Sequence, residues 1–144
     1  MYKRILIPLD GSALAEAVLP HVEELAKSGG AELVLLRVAS AHLFPGADPI
    51  EAQVAIVQEA ENYVADVAQR LQEKGISAEA KVRYGDPAEE ILDHAARDHI
   101  DLIAMATHGR TGLKRVVLGS VAENVLRSAP VPMLLVRAPI SEAC

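Results

Sequence analysis

Apolar positions along this chain follow two rhythms, and the rhythms alternate. Unbroken apolar blocks predict buried strands at Tyr2–Pro8, where Ile5, Leu6 and Ile7 run together, at Ala31–Ala39, at Asp101–Ala106 and at Pro132–Arg137. Ser77–Tyr84 reads differently. Ala78, Ala80, Val82 and Tyr84 fall on one face, with Glu79, Lys81 and Arg83 on the other. Such alternation predicts a half-exposed strand at a sheet edge.

Between the strands the apolar residues step by three and four. Leu14, Val18, Val22 and Leu25 predict a helix from Ser12 to Lys27, capped by Ser12, bent at Pro20 and ended by Gly29-Gly30. After a loop over Ser40–Asp48, the stripe Ile50, Val54, Val57, Ala60, Val64, Val67 and Leu71 predicts a long helix from Pro49 to Lys74, stopped by Gly75. Asp86-Pro87-Ala88-Glu89 is a helix start, with Ile91, Leu92 and Ala95 as its apolar face. Ser120-Val121-Ala122-Glu123 predicts a second capping box, opening a helix to Arg127.

The order β-α-β-α-β-α-β-α-β implies an α/β fold, a five-stranded parallel sheet with helices on both faces. With the alternating third strand at an edge and the apolar strands central, the strand order that fits is 3-2-1-4-5. Ligands of such sheets bind beyond the carboxyl ends of the strands, where the order reverses. Here that point lies between Pro8-Leu9-Asp10 and Met105-Ala106-Thr107. The last strand would be the other edge, yet Met133, Leu134, Leu135 and Val136 are all apolar. An uncovered apolar edge invites a second chain, so a two-fold homodimer through Pro132–Arg137 is expected.

Composition narrows the picture. At roughly 100–200 residues per domain, 144 residues make one domain, expected over 1–140 with a tail at 141–144. Hydrophobic residues at 51% and charged residues at 24% exclude a disordered chain. A net charge of −6 and an aromatic content of 3% argue against a nucleic-acid partner. No apolar run approaches the roughly 18–20 residues that cross a bilayer, and the apolar stretch after Lys3-Arg4 is too short for a signal peptide. No membrane partner and a cytoplasmic location are therefore expected. The lone Cys144 can form neither an internal disulfide nor a cysteine zinc site. His94 and Asp98 stand one helical turn apart and read as a surface ion pair, not a metal site.

Charge is unevenly spread. Met105–Ser128 holds four bases (Arg110, Lys114, Arg115, Arg127) and one acid (Glu123), a local +3 within a chain of −6. The loop from Thr107 to Leu118 is rich in glycine and base, and a helix start follows it. Glycine-rich backbone and helix N-termini both favour anions, which points to a phosphate site. The segment has no GxxxxGK[ST] loop, and no GxGxxG follows the first strand. The competing reading is a glycine-rich turn with solvated bases. Asp10 could equally end its strand and cap the next helix.

The segments KRILIPLDGS (3–12), DLIAMATHGRTGLKRVVLGSVAENVL (101–126) and APVPMLLV (129–136) resemble the universal stress protein family, in order and over nearly the whole chain. ATP-binding members carry Gly-x2-Gly-x9-Gly-[Ser/Thr]; here the pattern falls on Ala106, Gly109, Gly119 and Ser120, with alanine replacing the first glycine. The resemblance implies a Rossmann-like fold of the adenine nucleotide alpha hydrolase type, with ATP as ligand. Pro8, Leu9 and Asp10 would border adenine and ribose, and Val38 would line the adenine pocket. Met105 and Ala106 would meet the sugar. His108, Gly109 and Arg110 would meet the phosphates, and Gly119, Ser120, Val121 and Ala122 would close the site. Asp10 could hold magnesium. The resemblance also implies dimers through the last strand. No catalytic base or P-loop lysine stands out, so the expected role is a nucleotide-dependent regulator with little or slow hydrolysis. A dimeric scaffold without nucleotide and a slow nucleotide hydrolase or phosphotransferase remain the alternatives.

Overall fold

The computed structural model describes residues 2–40, 46, 48–107 and 119–138. Five strands form one sheet: β1 (Arg4–Leu9), β2 (Glu32–Ala39), β3 (Ala78–Tyr84), β4 (Leu102–Thr107) and β5 (Met133–Arg137). Every pairing is parallel and the order is β3-β2-β1-β4-β5. The helices are α1 (Ala13–Glu16), α2 (Leu19–Gly29), α3 (Pro49–Glu73), α4 (Pro87–Arg97) and α5 (Ser120–Ser128).

Period-two side-chain alternation divides the core in two. Ile5, Ile7, Leu9, Leu33 and Leu35 pack under Val18, Val22, Val64, Val67 and Leu71 of the α2/α3 layer. Leu6, Val34, Leu36, Ile103 and Met105 pack under Ala88, Ile91, Ala95, Ala122 and Val125 of the α4/α5 layer. β1 and β2 carry apolar residues to both faces, which is why they read as unbroken runs.

The structure corrects four local expectations. The single bent helix over Ser12–Lys27 is two helices, α1 and α2. A continuous helix would need an N–H at Pro20 aimed at the Glu16 carbonyl, where the proline ring clashes. The chain breaks at Ala17-Val18, and Pro20 sits in the first turn of α2, where no donor is required. Ser120 does not cap α5: Gly119 is the N-cap, at φ −65° and ψ 160°, and no side chain caps the helix. Tyr84 is exposed, while Ala78, Ala80 and Val82 pack onto the core. The stripe of α3 is buried only from Ala60 onward; Ile50 and Val54 are exposed. Twenty-five helical residues span about 37 Å, against about 26 Å for the eight residues of β2, so the first turns of α3 overrun the sheet.

The other caps form as expected. Ser12 Oγ accepts from the Ala15 amide at 3.1 Å, and an Asp86 carboxylate oxygen accepts from the Glu89 amide at 3.0 Å. Gly30 closes α2 at φ +70°, the left-handed conformation glycine adopts without steric penalty.

Candidate functional site

The strand order reverses between β1 and β4, whose partners on their other sides are β2 and β5. Beyond the carboxyl ends of the strands, at that reversal, lies a cavity of about 280 Å³. Its wall includes Pro8, Leu9, Asp10, Val38, Met105, Ala106, Gly119, Ser120, Val121 and Ala122. Residues from four separate elements are thus brought to one crevice. His108, Gly109 and Arg110 lie outside the described residues.

The cavity has two chemical ends. Leu36, Val38, Pro87, Ile91 and Met105 form an apolar wall, suited to the flat face of an aromatic ring. Gly119, Ser120, Val121 and Ala122 bring the first turn of α5 to the wall. The first amides of a helix have no intrahelical partner, and no side chain among the described residues takes them either. α1, α3 and α4 are each capped by a side chain, whereas α2, like α5, is not. The open start of α5 therefore offers N–H donors and the positive end of a helix dipole to the cavity.

Asp10 is exposed at the mouth and braces its own loop. Its Oδ1 accepts from the Ser12 amide at 2.9 Å and from Ser12 Oγ at 2.5 Å. Asp10 does not cap the next helix, since Ser12 is the N-cap of α1; Asp10 instead orders the turn before it and lines the cavity. Ala106 stands where the resemblance places a glycine. Among the described non-glycine residues only His99 has a positive φ, so the Ala106 backbone is unstrained. It continues β4 opposite Val136 and packs against the α2/α3 core layer.

Sequence reasoning missed Leu14, Ala15, Leu36, Pro87 and Ile91, which also line the cavity. Leu36 was within reach, because it shares a strand face with Val38 two residues on. The other four arrive through the packing of α1 and α4 and carry no local signal. His94 Nε2 lies 2.9 Å from Asp98 Oδ2, the i,i+4 pair read from spacing. Among the described residues no group of three or more His, Cys, Asp or Glu side chains could hold a metal ion. No described helix is long and apolar enough to cross a membrane.

A parallel, doubly wound α/β domain with its crevice at the strand-order reversal defines a Rossmann-like fold. Residues 1–137 match the Universal stress protein family, and the chain belongs to that family. Universal stress protein MJ0531 of Methanocaldococcus jannaschii is 35% identical, covering 99% of this chain and 86% of that protein. The solved structure of MJ0577, a universal stress protein from the same organism, superposes with a TM-score of 0.82 at 34% identity, covering 98% of this chain and 99% of that one. A universal stress protein family member from Arabidopsis thaliana, At3g01520, solved with AMP bound, shares the fold at a TM-score of 0.70 and 18% identity, covering 99% of this chain and 95% of that one.

Proposed function

We propose that this chain binds ATP in the crevice between β1 and β4 and acts as a nucleotide-dependent regulator in a cellular stress response, with little or slow hydrolysis. The observation that carries the reading is a cavity lined both by the first turn of α5 and by apolar side chains of β2, β4 and α4. Such a cavity suits a ligand with an aromatic end and an anionic end. Adenine would lie against Leu36, Val38 and Met105, ribose near Asp10 and Ala106, and phosphates at Gly119–Ala122 and at His108, Gly109 and Arg110. AMP in the related Arabidopsis protein supports an adenine nucleotide as the ligand class.

Magnesium would offset phosphate charge. Asp10 is the described carboxylate on the cavity wall and would be the group to hold the ion; its Oδ1 already accepts from Ser12. Asp10 is the one titratable side chain on the described wall, which supports little or slow turnover. A homodimer through Pro132–Arg137 and a cytoplasmic location complete the reading. Met133, Leu134 and Leu135 are only partly buried within one chain, and a second β5 would cover them.

The experiment is to denature the purified native protein, identify released nucleotides by mass spectrometry, and titrate the emptied protein with ATP, AMP and cyclic AMP, with and without magnesium. ATP in near-stoichiometric amount, or ATP binding tighter than the other two, is the expected result. No released nucleotide together with no binding at millimolar ATP would leave the scaffold reading in its place. Ala106→Gly is expected to change ATP affinity by less than about threefold, because Ala106 is unstrained and its methyl has a place in the core. A tenfold gain by calorimetry would show that the methyl obstructs the ligand. Light scattering should give a particle of two chains, and a monomer would refute the β5 interface.

A further inference from the structure

The segment that brings Asp10, Leu14 and Ala15 to the cavity is locally weak. α1 has four residues and buries none of them, far short of a helix that holds itself together. Its backbone lies against β4 and β1, and side-chain ties reach it from α3 and β2. Glu16 accepts a hydrogen bond from the Tyr63 hydroxyl at 2.6 Å and another from Arg70 Nη2 at 3.3 Å. The Arg37 guanidinium, near the end of β2, stacks on Tyr63, its Cζ 5.3 Å from the ring centroid. Arg37 also abuts the backbone of Gly11, where an added Cβ would lie 2.5 Å from Nη1. Gly11 sits at φ +88°, a conformation that side-chain-bearing residues rarely adopt.

We propose that Tyr63 and Arg37 are positioning residues for the cavity: with Glu16 as their anchor, they lock the 10–16 segment against α3 and β2 and so set where Asp10, Leu14 and Ala15 stand. The consequence for ligand affinity rests on the nucleotide reading of the cavity. Burial, joined by the bond to Glu16, pushes the Tyr63 hydroxyl well above its ordinary pKa, so it stays a donor throughout the physiological range. The ring supplies a face for the cation, and the hydroxyl supplies the tie to α1. Loss of either leaves the segment held only by its packing on β1 and β4.

The test is hydrogen exchange on the ligand-free protein, followed by calorimetry. Tyr63→Phe keeps the ring and removes the tie; Glu16→Gln weakens the tie from the other end; Arg37→Met removes the cation stacked on the ring. Each is expected to speed exchange in the peptide over residues 10–18 about tenfold, while amides of β2 and β4 keep their wild-type rates. Glu16 also accepts from Arg70, so the double variant should exchange little faster than Glu16→Gln alone. ATP affinity should fall about three- to tenfold in Tyr63→Phe. Wild-type exchange at residues 10–18 in Tyr63→Phe overturns the proposal, as does a uniform rise across the whole chain. If the wild-type protein binds no adenine nucleotide, the nucleotide reading fails, and the exchange pattern alone decides whether the lock exists.

Discussion

Gly119→Asp is expected to abolish ATP binding while leaving the melting temperature unchanged or slightly raised. These opposite effects have one cause. Gly119 is the N-cap of α5, its backbone is extended at φ −65° and ψ 160°, and a Cβ placed there meets none of the described residues within 4 Å. Aspartate adopts that conformation readily and is a favoured cap. Its carboxylate would accept from the free amides of the first turn, which stabilises the helix by roughly 0.3 kcal/mol relative to glycine. Those amides are the donors assigned to the phosphates. The carboxylate would occupy them and also set a negative charge against the ligand. Losing two charge-assisted hydrogen bonds lowers affinity by about 100-fold or more before repulsion is added. Gly119→Ala separates the terms: it adds bulk without charge and should bind within about threefold of wild type. Calorimetry and thermal melting on both variants decide the matter. If Gly119→Asp binds ATP normally, the phosphates do not sit at α5.

Much of the fold was legible because strand environment leaves a mark on sequence. Leu33 to Leu36 are all buried, since β2 has a helix layer on each face, and their run is unbroken. At β3 the alternation of Ala78, Ala80 and Val82 with Glu79, Lys81 and Arg83 marks an edge. That contrast yields the strand order, and the order yields the position of the crevice. Details that depend on three-dimensional packing were not legible. The stripe of α3 continues through Ile50 and Val54, but periodicity cannot say where the sheet beneath it ends. Ser120 is a better cap than Gly119 by local preference, yet the helix starts one residue earlier and leaves its first amides open. Local preference yields where a ligand site needs those donors, so the misplaced cap itself points to the site. Leu14, Ala15, Pro87 and Ile91 reach the cavity only because α1 and α4 fold over the sheet end.

At the opposite end of the sheet, Arg4→Met is expected to destabilise the protein by about 2 kcal/mol at neutral pH, for a fall in melting temperature of roughly 4–8 °C. Arg4 opens β1 and ties three other elements to it. Its guanidinium contacts Glu32 of β2, donates to Glu79 of β3 at 3.1 Å, and donates to the Asp98 carboxylate after α4 at 2.6 Å. Arg4 Nε also reaches the Asp98 carbonyl at 2.8 Å. The Arg4 side chain is only 21% exposed, so methionine can fill its stem space while three carboxylates lose their shared cation. Partial solvent access to those acids keeps the penalty below that of a fully buried network. The pH dependence has a definite sign. Burial pulls the Asp98 carboxyl upward, but Arg4 and His94 outweigh it and hold it below its ordinary value. Glu79 is held low first by Lys81 and then by Arg4, against burial. Carboxyls lowered on folding contribute stability above the unfolded-state value, near pH 4, and lose it as pH falls through the lower folded-state value. The difference between wild type and Arg4→Met should therefore be full at neutral pH and shrink steadily below about pH 4. Urea unfolding of both proteins across that range measures it. A difference that stays constant into acid would mean that Arg4 acts through packing and its bond to the Asp98 carbonyl, and not through the carboxylates.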